Sequence, residues 1–328
     1  MTLILSHSDL ATLADMKTTI AAVELAFGDI ARGTAHQPAP TSLHLPGSDA
    51  RFLPMTALAD TQQLAAVKLL SDIPANLDAG LPTQRSTIML ASQVTGETLA
   101  ILDGRVPTRV RTAAASAVAT KHLARPDSSV LGLVGGGALA VEHVNAILAV
   151  LPIEEIVVWS RSTQTTDAFR AQVSHHGLPV TVAAAVADVF ATADVVCTLT
   201  PAVEPVVEGR WFRPGQHINA VGSRPRPDHR EIDSTGMVRA RIIVDSLATA
   251  VEKSGDLLIP IQEGALSMED VVAELGQVVA GQRPGRRNAE DITLFNSVGI
   301  GMLDLAIGRL LYDLALERGM GLAVDLSA

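Results

Sequence analysis

A glycine-rich turn in the middle of the chain has the spacing of a dinucleotide-binding motif. A short apolar run, Val130 to Val134, precedes three consecutive glycines, and apolar residues at helical spacing follow them. The first glycine of such a turn allows a tight bend, the second lets the backbone approach a pyrophosphate, and the next helix offers unpaired N–H groups. A plain strand-to-helix turn is the alternative, but both flanks favour a dinucleotide site. The predicted contacts of the turn are Gly135, Gly136, Gly137, Ala138 and Leu139.

The end of the next predicted strand bears on which dinucleotide would bind. An acidic residue is expected there when the ribose 2′-hydroxyl of NAD is recognised. The chain instead has Ser160, Arg161 and Ser162, and an arginine among hydroxyls suits a 2′-phosphate. Unless Arg161 is a solvated loop residue without a ligand, NADP(H) is the preferred cofactor and NAD(H) is the alternative.

Lys68 is a lone cation in an apolar strand pattern. The alternation of LAAVKLLS places it on the same face as Ala66 and Leu70. One interpretation is an edge-strand lysine that points to water, and the other is an ammonium group that faces a ligand-binding cleft. The residues alone leave both interpretations open.

Two arginines occupy an unusual position in the helix predicted to begin at Val106. With Thr108 as the N-cap, Arg109 and Arg111 fall in the first turn, where the helix dipole disfavours cations. We therefore expect an anionic partner. Asp103 is the candidate nearby in sequence, and a substrate carboxylate or cofactor phosphate held in bidentate fashion is the functional candidate.

The composition excludes several other classes of function. The chain has 328 residues, 48% of them hydrophobic, without an apolar run of about 18 residues, which predicts a soluble protein of two domains. A net charge of −10 without a basic cluster argues against binding to nucleic acid or a membrane surface. One cysteine excludes an internal disulfide, and the nine histidines lack metal-ligand spacing, so no metal is predicted. The first ten residues lack a basic lead, which predicts a cytoplasmic protein.

The elements that would position these residues follow two patterns. Residues 9–32 predict one amphipathic helix, and the short strands after it, joined by tight turns, indicate an antiparallel sheet. After the glycine turn, strands alternate with helices, which is typical of a doubly wound parallel sheet. From Asp291 onward a single long helical pattern follows the completed sheet. The predicted strands are 52–57, 64–70, 86–91 and 98–102 before the turn, and 155–159, 179–183, 194–199, 217–221 and 241–244 after it.

The predicted fold class is therefore α/β. A doubly wound, Rossmann-like domain with a parallel sheet comprises residues 116–299, and it is the NAD(P)-binding domain. A discontinuous α+β domain with a mainly antiparallel sheet comprises residues 1–115 and 300–328.

Several longer blocks of sequence carry a specific resemblance. They are VKLLSDIPAN, TGETLAILDG, RVRTAAASAVATKHLARP, the glycine turn, TPAVEPVVEGRWFRPGQHINAVGS, REID and ITLFNSVGIGMLDLA. Over nearly its whole length the chain resembles the ornithine cyclodeaminase and mu-crystallin family, and EPVVEG, HINAVGS and SGDLL are closer to the ketimine reductase branch of mu-crystallin. The resemblance implies a homodimer that pairs through the sheets of its N-terminal domains. It also implies an active site between that substrate-binding domain and the nucleotide-binding domain, and α-amino or α-imino acids as substrates.

The family's site residues carry over by position. The resemblance implies that Lys68 reaches the substrate, that Arg111 grips its carboxylate, and that Thr83 lies near the nicotinamide nucleotide. The other predicted substrate contacts are Arg51, Arg85, Ser223 and Arg224. The other predicted cofactor contacts are Thr112, Thr198, Leu199, Thr200, Val221 and Gly222.

Two departures from the family pattern bear on the reaction. Cyclodeaminases of the family have an aspartate two residues after the glycine that ends the fifth strand, and Arg224 stands there in this chain. Without that carboxylate a base for cyclising deamination is missing, and the alanine dehydrogenases that carry it become weaker models. An arginine expected before Arg51 is also replaced, by Pro40 or Thr41.

The predicted reaction is hydride transfer from NADPH to the C=N carbon of a small α-imino acid, which gives the L-amino acid. Lys68 is the predicted general acid at nitrogen, with a pKa lowered by burial beside Arg109 and Arg111. The resemblance implies a cyclic imine such as pyrroline-2-carboxylate as the substrate, and the linear imines of pyruvate, glyoxylate or oxaloacetate are open alternatives. If Arg85 and Arg51 both face the cleft, they would favour a substrate with a second carboxylate. The alternatives are an ornithine cyclodeaminase, an amino acid dehydrogenase in the reverse direction, and a non-catalytic NADPH-binding protein.

Overall fold

The computed structural model describes residues 1–326, and the chain divides into two compact units. Unit 1 comprises Met1–Arg111 and the segment from Ile300 onward, and unit 2 comprises Thr112–Gly299. The sequence-based division placed the first boundary a few residues later, after residue 115. Among the described residues, no helix is both long enough and apolar enough to cross a membrane.

Unit 1 is built on a seven-stranded sheet. Its strands are β1 (Thr2–Leu5), β2 (Ala35–His36), β3 (Arg51–Ala59), β4 (Leu64–Asp72), β5 (Gln84–Ser92), β6 (Thr98–Asp103) and β15 (Leu322–Val324). Their order in the sheet is β15-β1-β6-β5-β4-β3-β2, and all neighbours are antiparallel except β1 and β6. The helices that belong wholly or in part to this unit are α1 (His7–Leu13), α2 (Met16–Arg32), α3 (Arg105–Leu123), in which the boundary at Arg111 falls, and α11 (Gly301–Arg318).

The alternation of buried and exposed residues fixes the two faces of this sheet. On β3 and β4 every second side chain is buried, as period-two strands with one covered face require. Helix α11 covers that inner face at β3, β4 and β5, and α2 packs on α11. The four strands predicted between residues 52 and 102 are confirmed, each with slightly longer ends.

Two predicted helix boundaries in unit 1 are wrong. The single helix predicted for residues 9–32 is broken between α1 and α2, because Asp15 leaves the helical conformation and its side chain accepts the Thr18 N–H as an N-cap. Helix α3 begins at Arg105 rather than Val106, and Asp103 accepts the N–H of Arg105, so Thr108 is not the N-cap.

Unit 2 is a doubly wound sheet of eight parallel strands. These are β7 (Val130–Val134), β8 (Glu155–Trp159), β9 (Val180–Val182), β10 (Val195–Thr198), β11 (His217–Ala220), β12 (Arg241–Val244), β13 (Val271–Glu274) and β14 (Thr293–Asn296). Their order is β13-β12-β14-β11-β10-β7-β8-β9, so the winding reverses between β7 and β10. Ligands of such sheets bind beyond the carboxyl ends of the strands at this reversal. The predicted α/β fold class is confirmed.

The helices of unit 2 connect the parallel strands. They are α4 (Ala138–Leu148), α5 (Thr163–Val173), α6 (Val186–Thr192), α7 (Ser234–Arg239), α8 (Leu247–Lys253), α9 (Gly255–Gln262) and α10 (Leu275–Val279). Short 3-10 turns occur at Pro74–Leu77 in unit 1 and at Ser174–His176, Gly209–Trp211 and Met268–Asp270 in unit 2.

The segment after Asp291 differs from its prediction. It is not one long helix that follows a complete sheet, because β14 lies between β11 and β12 in the middle of the sheet. Only after it does α11 begin, at Gly301. All four residues of the strand TLFN are buried, so the strand lacks the alternation of apolar and polar residues that would distinguish it from a buried helix.

Candidate functional site

Lys68 is fully buried on an inner strand of unit 1. It lies on β4 between β3 and β5, on the same inner face as Ala66 and Leu70, so the interpretation of an edge lysine in water is wrong. The Nζ atom donates to Thr108 Oγ1 at 2.7 Å and to Asp304 Oδ1 at 2.9 Å. A rigid strand, a helix and α11 therefore hold this ammonium group in one position.

Arg111 joins the same carboxylate. Its side chain is almost completely buried, and Nε donates to Asp304 Oδ1 at 3.3 Å. Among the described residues Nε is the only atom of the guanidinium for which a protein partner is recorded, and Asp304 Oδ2 is buried without one. Two cations that share one carboxylate leave a net positive charge, which favours an anionic ligand.

Arg109 and Arg111 do not lie in the first turn of α3, so that prediction is wrong. Because α3 begins at Arg105, Arg109 and Arg111 lie in its second turn, beyond the strongest part of the dipole. Asp103 pairs with Arg105 at 3.0 Å, and Arg111 pairs with Asp304. An anionic partner exists for Arg111, but it comes from the far end of the sequence.

The environment of Lys68 changes its acidity. Burial lowers its pKa from 10.5 to about 8, the Asp304 carboxylate opposes this shift, and the Arg111 guanidinium adds to it. At neutral pH the ammonium form is therefore present and gives up its proton more readily than an exposed lysine does.

The remaining predicted residues of unit 1 fall on both faces of the sheet. Arg51 pairs across the strands with Asp72 on the inner face, the face that carries Lys68. Arg85 is exposed and lies on the opposite, outer face, where it lines a depression of about 420 Å³. The structure therefore does not bring Arg85 to Lys68 and Arg111. Thr83 precedes β5, half-buried, and its carbonyl accepts the N–H of Ile73.

Unit 2 places the glycine turn at the carboxyl end of β7. Gly135 has φ of +113°, and a Cβ there would lie 3.0 Å from the carbonyl oxygen of Leu199. Gly137 is the N-cap of α4, and Ala138 and Leu139 form its first turn. The turn therefore needs glycine both for its conformation and for the close approach of the neighbouring loop.

A pocket of about 310 Å³ adjoins this turn. No acidic side chain is among the described residues that line it. Ser160 and Arg161 line it at the end of β8, and Ser162 is the N-cap residue of α5 next to them. The predicted cofactor contacts in its wall are Gly135, Gly136, Gly137, Ser160, Arg161, Leu199 and Thr200. These residues, predicted from separate segments, are therefore brought together.

The other predicted residues of unit 2 lie near the ends of β10 and β11. Thr198 ends β10, and the Val221 N–H after β11 donates to its carbonyl at 3.3 Å. Gly222, Ser223 and Arg224 follow, each half-buried. Thr112 lies apart from them on α3, half-buried, and its carbonyl accepts the Ser116 hydroxyl at 3.4 Å. Within residues 1–326 no group of His, Cys, Asp and Glu side chains is arranged to hold a metal ion.

A model of the ornithine cyclodeaminase/mu-crystallin family matches residues 1–319. The chain belongs to this family. The resemblance identified from the sequence blocks is thereby confirmed, and it covers both units.

Individual members of the ornithine cyclodeaminase/mu-crystallin family are similar to this chain along nearly its full length. A Δ1-pyrroline-2-carboxylate reductase of Bacillus cereus is 34% identical over 98% of this chain and 99% of its own. The structure of the Thermococcus litoralis Δ1-pyrroline-2-carboxylate reductase in complex with NADH and L-proline is 36% identical, covers 98% of this chain and 100% of its own, and has a TM-score of 0.95. An archaeal alanine dehydrogenase dimer with bound NAD is 33% identical over 99% of both chains, with a TM-score of 0.92.

Two acidic residues of this family member were missed by the sequence analysis. Asp304 is the only charged residue in the apolar stretch GIGMLDLAIG, and a lone buried carboxylate in such a stretch indicates a cationic partner. Glu231, in the REID block, is buried at the ends of β10 and β11, where Thr198 and Gly222 donate to it. Nothing in its sequence context indicates that position, because its partners lie in other segments.

Proposed function

We propose that the protein is a nicotinamide-dependent reductase that converts a small α-imino acid to the amino acid. The observation that carries the proposal is the buried cluster in which Lys68 and Arg111 share the Asp304 carboxylate. The cluster combines an anion-binding guanidinium with a proton donor of lowered pKa. Reduction of a C=N bond beside a carboxylate needs both groups, and relatives of the chain are named as enzymes of such reactions.

Arg111 binds the substrate carboxylate in this proposal. Asp304 fixes the guanidinium through Nε and leaves both Nη groups for the ligand, the arrangement that favours bidentate recognition. Because Lys68 and Arg111 are almost completely buried, solvent screens their attraction for a carboxylate only weakly, and Asp304 balances only part of their charge.

Lys68 supplies the proton. A bond from Nζ to hydrogen breaks and one from the imine nitrogen forms, which makes an iminium group and raises the reactivity of its carbon toward hydride. Thr108 and Asp304 hold Nζ during this transfer, and solvent then returns a proton to the neutral amine of Lys68.

The pocket beside the glycine turn of unit 2 suits a dinucleotide. The glycine turn leaves room for a pyrophosphate, and α4 directs its N-terminal N–H groups toward it. When bound, a reduced nicotinamide supplies the hydride that adds to the imine carbon. Related structures that contain NADH or NAD support a nicotinamide cofactor here.

NADP(H) is the preferred cofactor in our proposal. The support is the absence of an acidic side chain among the described residues that line the pocket, together with Arg161 and Ser160 at the expected position of the 2′-substituent. The bound NADH and NAD of the relatives keep NAD(H) as the alternative.

A homodimer is the second part of the proposal. The outer face of the unit 1 sheet exposes large apolar side chains in neighbouring strands, including Phe52, Val67, Leu69 and Met89. Such a face favours a protein partner, and the related alanine dehydrogenase is a dimer. Light scattering of the purified protein tests this, with Leu69→Arg expected to give monomers and Leu77→Arg, at an exposed site off these strands, as the control.

The substrate we favour is a cyclic imine, Δ1-pyrroline-2-carboxylate. The related enzymes with that name support it, and Arg85, which would suit a second carboxylate, lies on the face away from Lys68. Deamination of ornithine is less favoured because Arg224 stands where an aspartate would act. The alanine dehydrogenase relative supports linear imines, such as that of pyruvate, as the second substrate class.

The decisive experiment follows the oxidation of NADPH and NADH by absorbance with purified protein. The panel comprises pyrroline-2-carboxylate, piperideine-2-carboxylate, and pyruvate, glyoxylate or oxaloacetate, each keto acid with ammonia. We expect turnover of a cyclic imine, and turnover of keto acids with ammonia alone would shift the substrate to linear imines. Release of ammonia from ornithine without turnover of any imine would contradict the proposed reductase.

A further inference from the structure

We propose that Glu231 is a positioning residue that holds together the two loops of the cofactor site at the carboxyl ends of β10 and β11. The inference rests on the proposed function. Its carboxylate accepts four hydrogen bonds, one from Thr198 at the end of β10 and three from the loops that follow β10 and β11. Oε1 accepts the N–H of Thr200 at 2.6 Å and its hydroxyl at 2.7 Å, and Oε2 accepts the Thr198 hydroxyl at 2.7 Å and the Gly222 N–H at 2.8 Å.

The burial of this carboxylate argues for a specific role. Glu231 is completely buried, and the recorded donors to its oxygens are neutral groups rather than cations. Burial, with the Asp256 carboxylate nearby, raises its pKa to about 7, because both disfavour the ionised form. A cost of this kind is typical of residues retained for function.

The backbone of Glu231 is itself fixed from behind. Asp256, also completely buried, accepts the N–H of Glu231 at 2.8 Å and that of Ile232 at 3.0 Å. The Asp256 carboxylate therefore fixes the backbone of Glu231, while the Glu231 side chain accepts hydrogen bonds from both loops. This arrangement resembles the outer support of a ligand site, in which one residue orients the groups that touch the ligand.

The loops that Glu231 connects adjoin the glycine turn. Leu199 and Thr200 line the same pocket as Gly135, and the Leu199 carbonyl limits the space at Gly135. At Gly222 a Cβ would lie 2.7 Å from Glu231 Oε1 and would meet the Thr200 nitrogen, so the two loops contact each other. A shift of the Glu231 carboxylate would therefore displace the wall of the dinucleotide pocket.

Glu231→Gln tests this role because the amide preserves volume and removes one acceptor. Either orientation of the amide turns its nitrogen toward a backbone N–H, that of Thr200 or that of Gly222, while the hydroxyls adapt as acceptors. We expect the Kd for NADPH and for NADH to rise about tenfold, as loss of a bond to a charged group implies. The KM for the cofactor should follow, while kcat at saturating cofactor changes less than threefold, a split that a general loss of structure would not produce.

The measurement is direct titration of nicotinamide fluorescence, which needs no turnover. Glu208→Gln serves as the control, at a half-buried carboxylate of the same unit that pairs with Arg210. Equal dinucleotide affinity in Glu231→Gln and wild type would overturn the proposal. If Glu231→Gln does not fold, Thr198→Val removes a single donor and is expected to weaken binding about threefold; unchanged binding in that variant has the same meaning. Wild-type protein that binds dinucleotide but reduces no imine would overturn the proposed reaction and leave this test intact, whereas absence of any dinucleotide binding would overturn both.

Discussion

The two units each bury a charged group, and they surround it in opposite ways. In unit 1 the Lys68 ammonium meets an opposite charge, Asp304, and a second cation, Arg111, leaves the cluster with excess positive charge. In unit 2 the Glu231 carboxylate meets only hydroxyl and backbone donors. In the proposed function an anionic substrate balances the excess charge of the first arrangement and accepts its proton, whereas the second arrangement has its own donors and connects backbone segments. The difference predicts that changes at Lys68 affect turnover and changes at Glu231 affect cofactor affinity.

The largest expected effect is that of Lys68→Met. Methionine retains most of the buried volume, and the Asp304 charge stays paired with Arg111. Loss of the proton donor should lower kcat by about 10³-fold, within the range of general acid catalysis, and leave the Kd for NADPH unchanged. Steady-state kinetics and fluorescence titration measure the two quantities, with Lys17→Met on the exposed side of α2 as the control. Wild-type turnover in Lys68→Met would contradict the proposed role of Lys68 as the proton donor.

Asp304→Asn is expected to have the next largest effect. It leaves two buried cations without a counter-ion, and breaking a buried pair in this way costs about 3–5 kcal/mol of unfolding free energy. Because the Asp304 charge raises the pKa of Lys68, its removal lowers that pKa further. Chemical denaturation measures the stability loss, and the falling limb of kcat/KM should move to lower pH. A limb that stays in place would show that Asp304 does not act through Lys68.

A smaller effect is expected from the titration of Lys68 in the wild-type protein, which should change both kcat/KM and stability with pH. The Lys68 pKa of about 8 means that kcat/KM should fall about tenfold per pH unit above that value, since neutral lysine has no proton to give. The free energy of unfolding changes with pH in the opposite direction to kcat/KM. Between pH 8 and 10.5 the lysine keeps its proton in the unfolded state and loses it in the folded state. The contribution of Lys68 to unfolding free energy therefore rises with pH over that interval. Both trends should vanish in Lys68→Met, and a falling limb that persists there would assign it to another group.

The same contrast explains what sequence predicts about this protein. The glycine turn and the strands that flank it are local patterns, and each was recognised from the residues beside it. The local pattern around Lys68 left two interpretations open, and only the family resemblance favoured a functional role. Asp304 and Glu231 have partners that are distant in sequence, Lys68 being 236 residues from Asp304, so their positions depend on strand order and helix packing that no local period encodes. Strand β14 was missed for a related reason, because a strand buried on all sides has no alternation to detect.

The smallest expected effect distinguishes a residue that contacts the cofactor, Arg161, from a residue that positions the pocket wall, Glu231. Arg161 is exposed where it lines the pocket, so Arg161→Ala should remove the contact that we propose with a 2′-phosphate and leave the loops undisturbed. The Kd for NADPH should rise about fivefold, the value of one exposed charge-assisted contact, while the Kd for NADH stays the same. Glu231→Gln should instead weaken both dinucleotides by the same factor, because it acts on a wall that both share. Parallel titrations of the two variants with the two cofactors measure this, and Arg170→Ala on α5 serves as the control. If Arg161→Ala weakened NADH as much as NADPH, the arginine would belong to the common pyrophosphate site, and the preference for NADP(H) would lose its structural basis.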